Sequence, residues 1–598
     1  MFHSRRNREY WNACKEVQTE GYIIDIQRFP LSSPHFRRQV GNFLAANGLR
    51  LESVDDYFCI TGNDGSIIAG AGLYKDIIKC IAVDPSARSL GLLGPLVSHV
   101  ISFAGSKGIN NLKVFTKPEN EAIFVSLGFH VLARAPKAIL MENGRGLEEY
   151  LRSLSDGCPA TAGVIVMNAN PFTLGHRHLV RKAAEIVDRL YVIPVKEDVS
   201  LFPYVERLEM IRKGCEGVAT VLEGSDYQIS AATFPTYFLK DLSDASETQM
   251  RLDIVLFGRH IAPALGVTVR FVGSEPSDLL TARYNELMKE ILPEYGIQVV
   301  EIPRLAVPAI AELVEAVEEP VSASIVRNAL AEGSFMKAAS LTPPSTWPYL
   351  AAELISRALK MELEAPLKPG LVDRESNGSH SDMDYNLMLG SIDVIRRSFV
   401  RHLPLMETED IVSFGKAIEA DVLEYTNGVN TYRGAIFALG LASVAAIVDR
   451  EGISTKIAGL AGLVEVGKDS HGGKAVEEYG VKGALQMARE GYKPLFEDWL
   501  PYFRSLEGDG MRLQKTLLRI MSTLDDTCVI HRAGYQRAQE VKREASGLLD
   551  NFSLDGLKEM TASYDAQGIS PGGAADMLAL TILIDSLTNL YSNTTRLW

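Results

Sequence analysis

The pattern of apolar residues changes once along this chain of 598 residues, at the proline-rich segment 341–348. Before that segment, short apolar runs typical of strands, such as residues 77–83 and 163–167, alternate with stretches of helical periodicity. After it, apolar residues recur almost only at helical spacing. Because a cluster of prolines interrupts regular structure, we expect the segment to separate an α/β region from an all-α region.

A chain of this length is too long for one hydrophobic core. A second boundary is expected between a helix at residues 147–154 and the strand at 163–167. We therefore predict two α/β domains, residues 1–145 and 158–345, and an all-α domain, residues 350–598. Six helices are predicted in or next to the last domain, at residues 347–362, 385–399, 431–450, 510–523, 534–549 and 574–590.

The composition argues against several classes of protein. The formal net charge is −14, so the chain lacks the basic surface that a nucleic-acid-binding protein needs. The longest apolar stretch, residues 434–448, is shorter than the ~20 residues of a membrane-spanning helix, and the charged N-terminus does not resemble a signal peptide. The six cysteines form no CxxC pair, so we expect neither a zinc site nor disulfides. These features predict a cytoplasmic protein without nucleic-acid or membrane partners.

The first domain contains one pattern suited to binding phosphate. Arg88 and Gly91 lie between an apolar strand and the start of a helix, where backbone N–H groups can approach a phosphate. Together with the later Gly128-Phe129 pair, this loop resembles the GNAT acetyltransferases, whose Arg-x-x-Gly-x-Gly/Ala motif binds the pyrophosphate of CoA. The resemblance implies a GNAT-like α/β fold with Arg88 and Gly91 as cofactor ligands. Because Leu93 occupies the last small position, the alternative is a fold that recognises pantetheine or a protein without transferring an acetyl group.

The second domain begins with a βαβ pattern. Thr173-x-Gly175-His176 follows the first strand of this domain, and a helix at 177–187 and a strand at 190–195 come next. This order places the motif at the carboxyl end of a strand, where open α/β sheets bind ligands. A motif this short also arises by chance, so its interpretation depends on a second motif.

That second motif is Ser322-x-Ser324-x-x-Arg327, near the end of the same domain. Ser322 is expected to cap a helix, and Ser324 and Arg327 to present a hydroxyl and a guanidinium from its first turns. The two motifs together resemble the Rossmann-like nucleotidyltransferases of the HxGH type. The resemblance implies that Thr173, His176 and Arg327 stabilise the phosphate at which the nucleotide is cleaved. The alternative is a capped helix and a surface histidine.

Further segments extend the likeness from about residue 20 to residue 345. They resemble citrate lyase ligase and lie at residues 166–173, 195–198, 202–204, 224–227, 232–235 and 271–276. The resemblance implies that ATP and acetate form acetyl-adenylate with loss of pyrophosphate. The acetyl group then passes to the prosthetic-group thiol on the acyl carrier subunit of citrate lyase. Mg²⁺ is expected to accompany ATP, held mainly by phosphate oxygens and water.

The same resemblance supplies the other candidate ligands of ATP. It implies that Gly175 of the first motif and three residues just before that motif bind the nucleotide, namely Asn170, Pro171 and Phe172. Lys196 is expected to add positive charge near the triphosphate. Arg207 is a further candidate for this role, and its alternative is a solvated position on a helix face.

Five segments of the last domain resemble triphosphoribosyl-dephospho-CoA synthase, at residues 368–383, 426–434, 525–527, 531–534 and 569–576. The resemblance implies that ATP and dephospho-CoA are joined, with adenine released and the triphosphate kept on the ribose. Such a reaction needs cations for the triphosphate, for which the candidates are Lys368, Arg374 and Arg433. It also needs acidic groups that hold a metal or deprotonate the attacking hydroxyl, for which the candidates are Asp373, Asp382, Asp525 and Asp526.

Some positions depart from the pattern of that family. Tyr432-Arg433 replaces a His-Lys pair, and Leu485 and Met487 replace an arginine and a glutamate. An inactive helical scaffold is therefore one alternative for the last domain. For the whole chain, the alternatives are an adenylyltransferase for another cofactor precursor and a non-catalytic scaffold that docks the subunits of citrate lyase. The favoured prediction is a bifunctional enzyme that matures citrate lyase.

Overall fold

The structure is a computed structural model, and it describes residues 17–19, 22–154, 161–197, 200–229, 234–235, 242–275, 278–308, 318–403, 410–449, 451–465 and 471–589. The chain forms two compact units. The first comprises the described residues of Met1–Ala169 and His176–Ile310, and the second those of Asn170–Gly175 and Ala311–Trp598. The short segment Asn170–Gly175 therefore belongs with residues far along the chain.

The first sheet of the first unit has seven strands. An antiparallel pair, β1 (Val17–Thr19) and β2 (Tyr22–Ile24), precedes it. Its strands are β3 (Ile26–Phe29), β4 (Asp56–Thr61), β5 (Ile67–Tyr74), β6 (Ile77–Val83), β7 (Leu112–Thr116), β8 (His130–Arg134) and β9 (Ile139–Asn143). Its helices are α1 (Pro34–Ala46), α2 (Leu93–Ser106), α3 (Glu121–Ser126) and α4 (Gly146–Leu154). The strand order is β3-β4-β5-β6-β7-β9-β8, and only β6 and β7 run parallel.

This sheet is covered on both faces. Tyr57 and Cys59 of β4 belong to one buried apolar cluster, whereas Phe58 and Ile60 belong to another. Successive side chains of a strand point to opposite faces, so a strand buried on both sides is apolar without interruption. This explains why β4 and β5 are continuous apolar runs in the sequence.

The second sheet of the first unit is entirely parallel. Its strands are β10 (Ala162–Met167), β11 (Arg189–Pro194), β12 (Thr220–Val221), β13 (Val267–Gly273) and β14 (Gln298–Ile302), in the order β12-β11-β10-β13-β14. Its helices are α5 (Leu174–Ala184), α6 (Tyr204–Gly214), α7 (Leu242–Leu256), α8 (Ala262–Leu265) and α9 (Leu279–Ile291). Two short strands follow, β15 (Ala306–Pro308) and β16 (Glu318–Pro320). The order of strands reverses between β10 and β13, which is where open parallel sheets bind ligands.

The helix after β10 begins earlier than the sequence pattern predicts. We expected it at residues 177–187, but α5 begins at Leu174 and ends at Ala184. Gly175 and His176 therefore lie in its first turn. The expectation was wrong because the polar residues of this turn interrupt the apolar periodicity that marks a helix.

The two sheets of the first unit share a buried core. Phe115 and Leu140 of the first sheet lie in one apolar cluster with Tyr227, Leu252 and Leu256 of the second sheet's connections. A hydrogen bond from the Tyr227 hydroxyl to the buried Glu142 carboxylate joins the same two regions. The two sheets are thus packed into a single compact unit.

The second unit is helical. Its helices are α10 (Ala323–Glu332), α11 (Phe335–Ser340), α12 (Trp347–Glu364), α13 (Tyr385–His402), α14 (Ile411–Tyr425), α15 (Arg433–Val448), α16 (Ile453–Gly462), α17 (His471–Tyr479), α18 (Ala484–Arg489), α19 (Leu500–Ser505), α20 (Arg512–Thr523), α21 (Thr527–Ala533), α22 (Tyr535–Asp550), α23 (Leu554–Gln567) and α24 (Gly572–Thr588). The six predicted helices are confirmed as α12, α13, α15, α20, α22 and α24, although the predicted last residues Arg450 and Leu590 lie outside the described residues.

Two helices form the centre of this unit. Helices α15 and α24 pack against each other, and both are buried around most of their circumference. A helix that is apolar on every side is either a central helix or a membrane span. Helix α15 contains the longest apolar stretch of the sequence and is central. Among the described helices, none has the length and hydropathy that a membrane span requires.

Candidate active sites

The carboxyl ends of the parallel strands carry charged side chains. Lys196 follows β11, and its Nζ lies 3.4 Å from Asp226 Oδ2. Glu275 follows β13, and its Oε1 lies 2.7 Å from Arg304 Nη1, which follows β14. His176 interacts electrostatically with Arg304. This end of the sheet therefore gathers cations and an imidazole, which are groups that bind phosphates.

The His176 imidazole is uncharged in this environment. The residue is half-buried, and burial together with the positive charge of Arg304 lowers the pKa of His176 to about 4. At pH 7 the ring can therefore donate one hydrogen bond and accept another. A phosphate bound beside the ring would add negative charge and so favour its protonated form.

Arg207 is a structural residue of the same region. Its side chain is completely buried, so the alternative of a solvated helix face is wrong. The guanidinium donates to the backbone carbonyls of Asn168, Val195, Phe202 and Glu197 at 2.5–3.0 Å and to the Asn168 side chain at 2.8 Å. These acceptors follow β10 and β11 or precede α6. Arg207 thus fixes the loops at the carboxyl end of the sheet, with most of its donors already engaged.

The segment Asn170–Gly175 has its own partners in the second unit. Arg327 Nη1 donates to the Asn170 carbonyl at 2.6 Å. Thr346 Oγ1 donates to the Phe172 carbonyl at 2.8 Å, and Pro171 and Phe172 are buried. Arg327 of the second motif therefore binds the backbone just before the first motif.

Gly175 lies close to the backbone just before the second motif. A Cβ atom at this position would lie 3.1 Å from the Val321 carbonyl oxygen, which is closer than ordinary packing. Ser322 caps α10 as the sequence predicts, because its Oγ accepts from the Ser324 N–H at 3.2 Å. The Ser322 and Ser324 hydroxyls lie 2.6 Å apart, and Thr173 is buried. The absent side chain of Gly175 is what lets the α10 cap lie against this segment.

The candidate phosphate loop of the first sheet is exposed. It consists of a 3₁₀ turn at Pro85–Leu90, capped by Asp84, whose carboxylate accepts from the Ser86 N–H at 2.9 Å. Arg88 lies in this turn, and Gly91 follows it with a φ of 66°. Only glycine adopts this backbone conformation without strain. The structure places both predicted residues on the accessible surface between β6 and α2.

The helical unit contains a cavity with a volume of about 200 Å³. Glu362 of α12, His380 of the loop before α13, and Arg433 at the start of α15 line it. Arg532 of α21 and Asp576 of α24 also line it. Four sequence segments that resemble one enzyme family, at 368–383, 426–434, 531–534 and 569–576, therefore meet around one cavity.

Two carboxyl groups lie at this cavity. Glu362 is paired with Lys368, whose Nζ lies 2.5 Å from Glu362 Oε1, and both side chains are almost fully buried. Asp576 lies against the first turn of α15 and accepts a hydrogen bond from the Ala435 backbone. A Cβ atom on Gly434 would lie 2.0 Å from Asp576 Oδ2, so a larger residue there would displace the carboxylate. Burial and the neighbouring carboxyl groups raise the pKa of Asp576 well above its usual range.

A histidine also faces this cavity. His380 Nε2 lies 2.9 Å from Ser570 Oγ, and its Nδ1 lies 3.3 Å from Arg532 Nη2. Burial and the positive charge of Arg532 lower the pKa of His380. The imidazole is therefore neutral at pH 7 and holds Ser570 and Arg532 at the cavity wall.

Two family profiles match the chain in succession. The profile "Citrate lyase ligase C-terminal domain" matches residues 162–350, and "ATP:dephospho-CoA triphosphoribosyl transferase" matches residues 348–595. The first part is 40% identical over 323 residues to [Citrate [pro-3S]-lyase] ligase of Escherichia coli (strain K12), covering 52% of this chain and 89% of that protein. The corresponding protein of Haemophilus influenzae (strain ATCC 51907 / DSM 11121 / KW20 / Rd) is 39% identical, with 52% and 94% covered.

The second part has relatives of its own. It is 37% identical over 264 residues to "Probable 2-(5''-triphosphoribosyl)-3'-dephosphocoenzyme-A synthase" of Stutzerimonas stutzeri (strain A1501), covering 40% of this chain and 91% of that protein. The chain belongs to both families. Its first part is a citrate lyase ligase part, and its second is a triphosphoribosyl-dephospho-CoA synthase part.

In the synthase part, the structure distributes the predicted cations differently. Arg433 lines the cavity and forms an ion pair with Glu419, with its Nε 2.8 Å from Glu419 Oε1. Lys368 is buried against Glu362 and does not line the cavity. Arg374 is exposed, and its Nη2 lies 2.7 Å from Glu364 Oε1. Of the three predicted cations, the structure thus brings Arg433 alone to the cavity.

The predicted acidic residues mostly organise loops. Asp373 accepts from the N–H groups of Glu375 and Ser376 at 2.8 Å. Asp526 caps α21 and accepts from the Cys528 and Ala574 N–H groups at 2.8 Å. Asp525 forms a 2.5 Å ion pair with Lys542, and Asp382 lies 3.8 Å from His380. None of these four carboxyl groups is among the described residues that line the cavity.

Sequence reasoning missed several residues at these sites. Asp576 and His380 lie within segments that resemble the synthase family, so their chemical type was the available signal. Glu362 and Arg304 lie outside every quoted motif, and only the fold reveals them. Within the described part of the chain, no group of three or more His, Cys, Asp or Glu side chains could hold a metal ion.

Proposed function

We propose that the two parts perform two steps in the maturation of citrate lyase. The synthase part joins ATP and dephospho-CoA to give 2'-(5''-triphosphoribosyl)-3'-dephospho-CoA and adenine. The ligase part uses ATP and acetate to acetylate the prosthetic-group thiol on the acyl carrier subunit of citrate lyase, releasing AMP and pyrophosphate. The observation that carries this proposal is the succession of two family matches, each covering about nine-tenths of a relative.

For the ligase part, we propose an acetyl-adenylate intermediate on a Rossmann-like domain. The entirely parallel sheet with its reversal between β10 and β13 supports that fold. His176 and Lys196 act on the phosphates as hydrogen-bond donor and cation, respectively. Thr173, Ser324 and Arg327 keep the phosphate-binding roles that the sequence motifs imply. Mg²⁺ accompanies ATP and is held mainly by phosphate and water.

We further propose that the first sheet is GNAT-like and receives the pantetheine arm of the carrier. Support comes from the parallel pair β6–β7, which is joined only at residues 77–78 and 113–114, and from the exposed loop of Arg88 and Gly91. A strand pair that separates after two residues leaves room for an extended ligand. The substrates ATP and dephospho-CoA favour a cytoplasmic location.

For the synthase part, the departures from the family pattern differ in whether they lie at the cavity. Leu485 and Met487 lie in α18, and neither lines the cavity. Tyr432 does line it. The loss of two charges in α18 therefore leaves the cavity wall unchanged, which favours a working synthase over an inactive scaffold.

One chromatogram of nucleotide products tests both activities. The purified chain is mixed with ATP, Mg²⁺, dephospho-CoA, acetate and hydroxylamine as an acyl trap, with controls that omit dephospho-CoA or acetate. We expect adenine that requires dephospho-CoA and AMP that requires acetate. AMP without adenine would indicate a ligase with a scaffold domain, and adenine without AMP would contradict the ligase proposal.

A further inference from the structure

Three buried hydroxyl groups near the cavity have no hydrogen-bond partner among the described residues. They are Tyr432 OH, Thr431 Oγ1 and Tyr492 OH. Tyr432 and Thr431 line the cavity, and Tyr432 is only 4% exposed. Tyr492 is fully buried and interacts electrostatically with Asp576. Because a buried hydroxyl without a partner costs stability, the two that line the cavity, on Thr431 and Tyr432, indicate that a polar ligand completes their bonding.

Asp576 is held at the same space by tertiary contacts. Gly434 allows its carboxyl group to approach the first turn of α15, and the Ala435 N–H donates to it. The charged groups that face Asp576 are Asp526 and Glu362, and Lys368 is paired with Glu362. No cation of the described residues forms an ion pair with Asp576, so this carboxyl group favours its protonated form. It can therefore donate a hydrogen bond as well as accept one.

The remaining wall of the cavity suits a flat, uncharged ring. Leu359, Val372, Met383, Met388 and Ala579 supply apolar surface. The volume of about 200 Å³ lies below the ~300–1,000 Å³ of pockets that enclose a whole drug-sized ligand. The space therefore fits one part of a nucleotide rather than all of it.

The cavity wall also includes two cations, which suit the triphosphate of a nucleotide. Arg433 and Arg532 line the cavity, and both side chains are exposed to solvent. Guanidinium groups bind phosphate oxygens with two parallel hydrogen bonds. An ionic triphosphate outside and an uncharged ring inside match the two halves of ATP.

The geometry points to this cavity as the adenine site of the synthase part, with Tyr432 at the polar edge of the base and Asp576 as the acid that protonates it. The inference rests on the synthase activity proposed above. The bond between ribose C1' and adenine N9 breaks, and its electron pair leaves with the base, which takes the proton of Asp576. The 2'-hydroxyl oxygen of dephospho-CoA bonds to C1', and its proton passes to solvent, from which Asp576 is protonated again.

The first test is Asp576→Asn in the full chain, which keeps the shape of the side chain but removes its acidic proton. We expect kcat for adenine release to fall at least about 100-fold, the usual range for loss of a general acid, while KM for ATP changes less than about threefold. Asp555→Asn, an exposed change at the start of α23, is the matched control. Thermal unfolding and acetate-dependent AMP formation report whether the chain remains folded.

The second test is Tyr432→Phe, which removes one unpartnered hydroxyl and is therefore not expected to unfold the protein. Inhibition by added adenine is followed through formation of the triphosphoribosyl product, so that ATP binding to the ligase part does not contribute. Adenine should compete with ATP, and its inhibition constant should rise about tenfold in the variant.

The outcomes distinguish failure of the synthase function from failure of the adenine-site assignment. No adenine release by the unsubstituted chain overturns the synthase function itself. Adenine release that survives Asp576→Asn within tenfold overturns the acid assignment. Inhibition by adenine that is absent, or is unchanged by Tyr432→Phe, overturns the placement of the base.

Discussion

The protonation state of His176 depends on its surroundings as well as on its residue type. The T-x-G-H motif selected it, and the structure adds Arg304 as the cation that interacts with it. A neutral imidazole beside a cation is suited to a site that binds an anion before it reacts. The residue thereby supports two separate predictions, one on activity and one on stability.

The activity prediction concerns His176→Ala. We expect loss of acetate-dependent pyrophosphate release by at least about 100-fold, because a positioned phosphate ligand acts mainly in the transition state. Release is measured with a coupled pyrophosphate assay, and His178→Ala on the same helix is the control. Equal rates of pyrophosphate release in the two variants would show that His176 has no role in the ligase site.

The stability prediction concerns pH. The pKa of His176 is lowered from 6.5 to about 4 in the folded chain, so the unfolded chain binds more protons between these values. Its contribution to stability is therefore fully present above pH 6.5 and decreases as the pH falls to 4, by about 3 kcal/mol at most. Chemical denaturation between pH 4 and 7 measures it. His176→Gln should show a flatter dependence on pH than the unsubstituted chain, and an identical slope would contradict the shift.

Arg207 gives a prediction about a buried cation. Arg207→Met leaves the carbonyls of Asn168, Val195, Phe202 and Glu197 without their donor, so we expect a loss of about 3–5 kcal/mol in the free energy of unfolding. Arg212→Met on the same helix removes two exposed ion pairs, with Glu209 and Glu223, and should cost less than about 1 kcal/mol. Urea denaturation compares them, and similar losses would mean that Arg207 has no special structural role.

At the scale of elements, the contact between α15 and α24 decides the geometry of the cavity. Gly434 and Asp576 meet at the start of these helices, where a single methyl group would overlap the carboxylate. Elsewhere on α15 the packing is ordinary, since a Cβ atom on Gly440 would lie 3.9 Å from the Phe414 ring. A side chain at position 434 would therefore clash with Asp576, whereas position 440 has room for one.

These two glycines make a matched pair of variants. Gly434→Ala should reduce dephospho-CoA-dependent adenine release at least tenfold and lower the unfolding temperature, because the new methyl displaces Asp576. Gly440→Ala should leave adenine release unchanged and raise helix stability by about 0.5–1 kcal/mol. Acetate-dependent AMP formation should be retained by both. A Gly434→Ala chain with normal adenine release would show that the contact is not needed.

At the scale of the whole molecule, the boundary between the two family matches does not coincide with the boundary between the two compact units. The family matches divide the chain near residue 348, but α10 and α11 pack on α12 and belong to the helical unit. The Trp347 indole N–H donates to the Ala339 and Thr342 carbonyls, and Ser334 Oγ donates to the Asn589 carbonyl. A division by family thus cuts through a packed core.

Fragments of the helical unit test this arrangement. A fragment of residues 318–598 keeps α10 and α11, whereas one of residues 347–598 exposes the surface that these helices cover. We expect the longer fragment to unfold at a higher temperature and to release adenine faster. Calorimetry and the adenine assay measure both properties. Equal behaviour would mean that α10 and α11 contribute nothing to the helical unit.

The sequence by itself determined the elements and the chemistry. Six helices of the last domain, the strand before the Thr173 motif and the cap at Ser322 follow from local periodicity and residue type, which neighbours in sequence suffice to define. The motifs likewise identified both families. Because a family motif specifies residue types at fixed positions, Arg327 and Arg433 could be selected from the sequence alone.

Only the tertiary structure decided which of these groups face a site. Lys368, Asp373 and Asp526 have the residue types of ligands, yet the fold uses them in a buried ion pair and in loop and helix caps. Asp576 and Glu362 are brought to the cavity instead. Burial, pairing and pKa depend on atoms hundreds of residues apart in sequence, and such long-range contacts leave no local pattern to detect.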